Sequence, residues 1–360
     1  MHNTDKTKKI DIVIPTYNGA KHLPRLLESI SHQTYAGYEC FVIDDNSKDN
    51  TARIIRERFP WVSLIVQAHN SGPSKNRNIA IRAGHSPYIV IFDDDTYIED
   101  REWLTKALDK MEKNPEIGQL ASMIVSGFDK NILLDCGIYG EGCLFGGNYY
   151  NQHRSTVSGK HEISRRVLGA CTAGTILRRD LFERVGGFDP KYFYPAEDLE
   201  LSLRIHLTGY DVIYDPSLVT YHFESQAMGK SIKRKMYMYR RNCLLALIEN
   251  YPASHIMKTL RSLVCRLLNF PFVSSIFPAA GTKERLDFPQ ETRDYIKTFC
   301  FLAANSFGIM NKRRKIDRFK TRPRSYLVEI NRMSAKEIRT RSRAYLCGHF
   351  NLDRKLDIVS

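Results

Sequence analysis

The chain has only two tryptophans, Trp61 and Trp103, and its eight cysteines include no C-x-x-C pair and no zinc-like Cys/His spacing. That pattern argues against a structural zinc site and against a dense disulfide framework, so the cysteines read as reduced thiols of a cytoplasmic protein. Long apolar runs are also missing. The longest apolar region, Ile256 to Ala280, is broken by Lys258, Arg261, Arg266, Asn269, Pro271 and Pro278, and no stretch reaches the roughly 18 consecutive apolar residues of a spanning helix. Met1 to Lys9 is polar and lacks the apolar segment of a secretory signal. No internal repeat is visible, which sets aside solenoids and propellers.

The sequence does contain enough material for a sizeable core: 360 residues, 42% hydrophobic and 11% aromatic. This suits one large domain with an appendage. The charge is unevenly placed. Up to Gly229 there are 26 Lys and Arg against 30 Asp and Glu, whereas the remainder has 28 against 10 and carries a net +18. A basic excess points to nucleic acid or an anionic membrane, but here it lies outside the part that carries the chemistry.

In the first part, apolar runs at Ile10–Pro15, Glu39–Ile43, Val62–Val66 and Tyr88–Phe92 read as buried strands. Leu23–His32, Thr51–Phe59 and Lys75–Ala83 between them read as helices. Such alternation predicts an α/β fold with a mostly parallel sheet and right-handed crossovers. Further on, Trp103–Asn114 is expected to be helical, Gly127–Asn151 has no clear assignment and suits an acceptor-facing loop, and Thr175–Leu177 and Asp211–Tyr214 read as strands. Arg179–Val185 and Glu197–Leu207 read as helices. A domain boundary is placed near Gly229, giving 1–229 as the catalytic domain and 230–360 as a basic, mainly helical region.

Ligands of open α/β sheets bind beyond the carboxyl ends of the strands. Three polar clusters fall there: Thr16-Tyr17-Asn18, Asp44-Asp45-Asn46 and Asp93-Asp94-Asp95. Three carboxylates crowded at one strand end are tolerable when a hard divalent cation, Mg²⁺ or Mn²⁺, sits between them and bridges a diphosphate. A solvated acidic turn is the plainer explanation for the aspartates taken alone. Likewise Asp44-Asp45-Asn46-Ser47 suits a turn and helix cap, and Glu197-Asp198 suits an acidic first turn facing a helix dipole.

Taken together, Ile12 to Asn18, Val42 to Ser47 with Asp49 and Thr51, then Asn70, Gly72, Arg77, Asn78 and the Asp93–Asp95 cluster resemble the glycosyltransferase family 2 domain of the GT-A fold. The resemblance runs from about Ile10 to His222. It implies a nucleotide-sugar site in which Pro15, Thr16, Tyr17, Asn18 and Asp45 hold base and ribose. Arg77 would lie near the base or diphosphate, Asp94 nearer the ribose or sugar, and Thr172, in Gly169–Gly174, along the donor sugar. Asp93 and Asp95 would form the metal-binding DxD, with His222 as third ligand and Mn²⁺ or Mg²⁺ as the cofactor. The segment Gly186-Gly187-Phe188-Asp189, Phe193 and Glu197 to Leu201 with Arg204 is similar to the family's acceptor site and makes Asp198 the expected general base of an inverting transfer. A UDP- or dTDP-sugar is the favoured donor, and a capped turn can also present Asp45 to a uracil or thymine.

Beyond Gly229, Tyr237, Tyr239, Arg240, Arg241 and Asn242 resemble the helix following the catalytic domain in rhamnosyl- and galactofuranosyl-type transferases. Met257 to Leu268 places basic residues along one side of an apolar helix, which suits an anionic membrane surface on the inner face and a glycan or lipid-linked acceptor. In the plainer alternative this helix packs on the catalytic domain, with Lys312–Lys315 and Arg322–Arg324 solvated. Nucleic-acid binding by the basic region, with Tyr326, Tyr345 and Phe350 interspersed, is the competing reading, but it leaves Asp93, Asp95, Asp198 and His222 unexplained. A sugar nucleotidyltransferase would carry a Gly-rich basic loop after the first strand, where this chain has Tyr17-Asn18-Gly19-Ala20. A non-catalytic sugar-nucleotide binder would have no need of Asp198.

Overall fold

The computed structural model describes residues 8–138, 155–156, 163–223, 232–276 and 288–332. Four parallel strands open the chain, β1 (Ile10–Thr16), β2 (Tyr38–Asp44), β3 (Ser63–Val66) and β4 (Tyr88–Ile91), joined by helices α1 (Leu23–Ser31), α2 (Thr51–Arg58) and α3 (Pro73–Ala83). The sequence expectation is met within a residue or two at each end. Every residue of β4 is buried, as expected of a central strand covered on both faces. On α1 the buried positions are Leu23, Leu26, Leu27 and Ile30, one stripe at helical spacing.

The sheet then continues through a mixture: Trp103–Asn114, Thr175–Leu177, Arg179–Val185, Glu197–Leu207 and the start of the Asp211 strand appear as expected, whereas Ile117–Ser126 and several two- to four-residue strands are not announced by periodicity. After β5 (Thr96–Tyr97) and α4 (Trp103–Lys113), β6 (Ile117–Ser126) is buried at all ten positions. Its sequence, IGQLASMIVS, mixes polar and small residues, and Gln119 is tolerated inside because it bonds Thr175 and Ser202. Next come β7 (Ile132–Asp135), β8 (Ser155–Thr156), β9 (Arg165–Arg166), β10 (Thr175–Arg178), α5 (Arg179–Val185), α6 (Glu197–Leu207) and β11 (Asp211–His222). The strand order is β3-β2-β1-β4-β10-β6-β11-β5. Strand β10 runs antiparallel to both β4 and β6, so β6 and β11 point the same way as β1 to β4; with β5, β7 and β9 also paired antiparallel the sheet is mixed, parallel over β1 to β4 and between β6 and β11.

Strand β11 is longer than its first apolar run suggests. A register break between Asp215 and Val219, which contains Pro216, interrupts its pairing with β6, and the strand resumes to end at His222. A proline that cannot donate to the ladder sits in the bulge.

Beyond position 229 lie α7 (Ile232–Asn250), α8 (Ala253–Ile276), α9 (Phe288–Ala304) and α10 (Ser306–Phe319). They share a core with α6: Leu199, Leu203 and Leu207 pack with Tyr239, Leu244, Leu247, Tyr295, Ile309 and Ile316. Helix α7 also contacts α6, α8, α9 and α10. The expectation that Lys312 and Arg322–Arg324 are solvated is corrected here. Lys312 Nζ is held among Asp189 (2.7 Å), Glu200 (2.9 Å) and Glu249 (2.8 Å). Arg322 pairs with Asp211, and Arg324 donates to the carbonyls of Glu249 and Asn250. Arg314 and Lys315 are exposed. No helix among the described residues is long and apolar enough to cross a membrane. Most of the expected acceptor-facing loop, from 139 on, and Tyr345 and Phe350 lie outside the described residues, as do the side chains of α8 from 266.

Candidate active site

The loops after β1 and β2 are stitched together over the top of the sheet. Asn18 N–H donates to Ser47 Oγ (2.9 Å), Lys48 N–H donates to Asn18 Oδ1 (2.7 Å), and Ala20 N–H reaches Asp49 (3.2 Å). Asn18 and Asn46 both hold positive φ, 58° and 64°, a conformation that asparagine tolerates better than most residues and that recurs at functional loops. Tyr17 stays exposed. Asp45 is buried and accepts the backbone N–H groups of Ser71 (2.7 Å) and Gly72 (2.9 Å), which ties the β2 loop to the start of α3.

Helix α3 then reaches across the crevice. Arg77, 3% exposed, donates through Nη2 to Asp93 Oδ1 (2.7 Å) and through Nη1 to Glu197 Oε1 (2.8 Å). The neighbouring Asn78 clamps Phe188 by a reciprocal pair of bonds, 2.7 and 2.9 Å. The glycines before it, Gly186 and Gly187, have φ 88° and 73°, and a Cβ on Gly187 would lie 2.8 Å from Asn78 Oδ1. One helix thus fixes both the end of β4 and the entry to α6.

At the end of β4 the three aspartates diverge. Asp93 faces Arg77, whereas Asp94 accepts from Thr16 Oγ1 (2.5 Å). The close approach needs Gly19, where a Cβ would lie 2.2 Å from Thr16 Oγ1 and 2.7 Å from Asp94. Burial, with the Asp95 and Asp93 charges beside it, pushes the Asp94 carboxyl up to about 7. Asp95 lies 3.0 Å from His222 Nε2. This contact follows from topology: β5, two residues long and immediately after the aspartates, pairs with the end of β11, His222 opposite Thr96, and Phe223 N–H bonds Asp95 O.

On the far side, Ala196 at φ 78° turns the chain into α6, which starts with Glu197 and Asp198. Asp198 is buried and accepts the N–H of Leu199. Burial, with the Asp198 charge adding to it and Arg77 opposing, raises the Glu197 carboxyl to about 7. Thr172 is buried in the loop before β10. Its neighbour Cys171 is pushed well above the usual thiol range by burial and by the charges of Asp135, Asp198 and Asp93.

Of the residues expected from sequence, the fold therefore joins Thr16 with Asp94, Arg77 with Asp93, and Asp95 with His222, and sets Asp198 next to Glu197, the second partner of Arg77. Sequence reasoning named Glu197 only as part of the acceptor segment and passed over two further contributors, Tyr194 and Asp135. Glu197 is the second partner of Arg77, a role its place beside Asp198 hinted at. Tyr194, pushed up by burial and by the charges of Glu197, Asp93, Cys171 and Asp198, and Asp135, raised to about 6 by burial near His222, had no local signal.

Among the described residues no three His, Cys, Asp or Glu side chains already stand as a metal cluster. The expected ligands are instead split, Asp95 against His222 and Asp93 against Arg77. Their chemistry still fits a divalent cation. Crowded carboxylates, whose charges raise Asp94, with one imidazole in contact with Asp95, form a donor set for Mn²⁺ or Mg²⁺.

The family profile described as Glycosyl transferase family 2 matches residues 11–186. The chain carries a glycosyltransferase family 2 domain. This family 2 transferase is 26% identical over 267 residues to the N-acetylglucosaminyl-diphospho-decaprenol L-rhamnosyltransferase of Mycobacterium tuberculosis, covering 68% of this chain and 86% of that one. It is 25% identical over 226 residues to the O-antigen biosynthesis protein RfbC of Myxococcus xanthus, covering 61% of this chain but only 18% of that longer protein. Among solved structures, the transferase resembles a mannosyltransferase from Pyrobaculum calidifontis in complex with GDP-Man and Mn²⁺, with a TM-score of 0.54 at 19% identity over 93% of this chain and 88% of the other. That likeness establishes the shared GT-A-type fold.

Proposed function

We propose that this enzyme transfers a hexosyl or deoxyhexosyl group, with inversion, from a nucleoside-diphosphate sugar to a hydroxyl of a glycan or lipid-linked acceptor in cell-surface polysaccharide synthesis. The observation that carries the reading is the pairing of two carboxylate sets across one crevice. Asp93 and Asp95 with His222 stand on one side and Asp198 at the start of α6 on the other, joined by Arg77. The name of the mycobacterial relative supports a deoxyhexosyl donor and a lipid-diphosphate acceptor.

In this reading Pro15, Thr16, Tyr17, Asn18 and Asp45 surround base and ribose, and a UDP- or dTDP-sugar is the favoured donor. Asp94 lies toward the ribose or sugar, and Thr172 lines the sugar. Asp93, Asp95 and His222 would hold Mn²⁺ or Mg²⁺, which when bound would offset the charge of the departing diphosphate. Asp198 takes the proton of the acceptor hydroxyl as that oxygen bonds to the anomeric carbon and the carbon–oxygen bond to the diphosphate breaks. No covalent enzyme intermediate is needed. Arg77, closed in by Asp93 and Glu197, acts here by positioning the two sides.

The test is thermal unfolding with UDP, dTDP, GDP and CDP, each with Mn²⁺ or with chelator. A ligand at about 100 times its dissociation constant stabilises by about 2.7 kcal/mol. One diphosphate should raise the midpoint only with metal, and His222→Ala should abolish that gain. If no nucleotide shifts the midpoint, the reading fails.

A further inference from the structure

Helices α9 and α10 follow one another with only Asn305 between them and bury one side through Tyr295, Thr298, Leu302, Ile309 and Ile316. The opposite side is apolar as well. Ile296, Phe299, Ala303, Phe307 and Met310 are exposed at successive spacings of three, four, four and three residues, a continuous stripe on one face. Phe307 is 77% exposed, Ile296 57% and Met310 50%. Exposed large apolar side chains of this size, aligned rather than scattered, mark a surface that something covers.

Its flanks are cationic. Arg293 and Lys297 are exposed at one end, and Arg314, Lys315 and Arg318 at the other. Between 293 and 316 the only acid is Asp294, which is buried against Arg240. The exposed acid just beyond, Asp317, is paired with Lys320 and Arg324. A second copy of the chain laid along this stripe would meet cations with cations in either direction, because both ends carry the same sign. An anionic bilayer meets both features, apolar side chains for the acyl boundary and cations for the headgroups.

We propose that this outer face of α9 and α10 seats the protein on an anionic membrane surface. Its position ties it to the chemistry. A Cβ on Gly308 would lie 2.9 Å from Lys191 Nζ, and Lys312 is bonded to Asp189. Through its inner side helix α10 therefore abuts the segment that leads directly into Glu197 and Asp198, and the exposed stripe is the opposite side of that same helix. This deepens the lipid-linked acceptor reading and rests on it for its purpose, but the binding itself is independent of sugar transfer.

The experiment floats the full chain with vesicles of phosphatidylglycerol and phosphatidylcholine, and with phosphatidylcholine alone. Binding is expected on the anionic vesicles and is released by salt. The double substitution Phe307→Ser with Met310→Ser should lower it about tenfold, as should Arg314→Glu with Arg318→Glu, with circular dichroism and thermal midpoint unchanged since all four residues are exposed. The proposal is overturned if the wild-type chain does not float, if it floats equally with both variants, or if light scattering shows a dimer that Phe307→Ser dissolves. Sugar transfer to a soluble acceptor is assayed alongside. Transfer without flotation sinks the membrane face and leaves the transferase reading standing, and flotation without transfer supports the face alone.

Discussion

Arg77 Nη1 lies 2.8 Å from Glu197 Oε1, joining residues 120 positions apart in the chain inside a site closed to solvent on both sides of the pair. Through its other nitrogen the same guanidinium holds Asp93. The strand end that carries the DxD and the helix that carries the expected base are thus held in register by one buried cation.

Removing that cation leaves Glu197 buried with neither oxygen partnered by a charge. Arg77→Met is expected to cost about 3–5 kcal/mol in urea unfolding. Arg77→Lys should recover little, since a point charge cannot span two carboxylates as the planar fork does. Adding Glu197→Gln to Arg77→Met should restore part of the loss. Strictly additive destabilisation in that double variant would contradict the pairing.

Asp198→Asn should lower kcat by about 10²–10⁴ while leaving the nucleotide-induced rise in midpoint intact, because a general base acts on the acceptor proton and not on donor binding. A variant with normal kcat and only a raised KM would assign Asp198 to acceptor binding instead.

Gly72 combines a φ of 83° with a Cβ position 2.4 Å from the Phe193 ring, and its N–H is one of the two bonds that fix Asp45. Gly72→Ala is expected to destabilise by about 1–3 kcal/mol and to weaken nucleotide binding in parallel. A loss of stability with full nucleotide affinity would separate Asp45 from the donor site.

Glu249, buried with Glu200 and Asp189 beside it and opposed by Lys312, is raised to about 7. A carboxyl whose folded value lies above its ordinary one contributes stability that is fully present below the ordinary carboxylate range and is lost as pH rises through about 7. Mild acidification from about pH 8 to 6 should therefore raise the thermal midpoint, and Glu249→Gln should shrink that slope. Asp94 and Glu197, also raised to about 7, keep it from vanishing. Asp189, Glu200 and Asp211 are held low because their Lys and Arg partners outweigh burial, so the stability they contribute is present above the ordinary carboxylate range and is lost as pH falls through that range toward their lowered values. An unchanged slope in Glu249→Gln would refute the assignment.

What the sequence determined by itself is what neighbouring residues encode. Apolar runs of strand length alternating with helical stripes specify β1 to β4 and α1 to α3. Polar residues placed directly after those strands specify where a site would form, because strand ends in such a sheet converge. Consecutive residues also made Glu197 and Asp198 visible together. Contacts across the chain were decided only by the tertiary structure. His222 meets Asp95 because β11 resumes after the Pro216 bulge and pairs with the two-residue β5, neither of which has a periodic signature. Strand β6 was hidden by its buried Gln119 and Ser122, whose partners are 52 to 98 residues away. Lys312, read as one of a run of surface cations, is drawn into the fold because Asp189, Glu200 and Glu249 converge from three other elements. A buried charge is stable only where opposite charges meet it, and that meeting is a property of packing which no local pattern records.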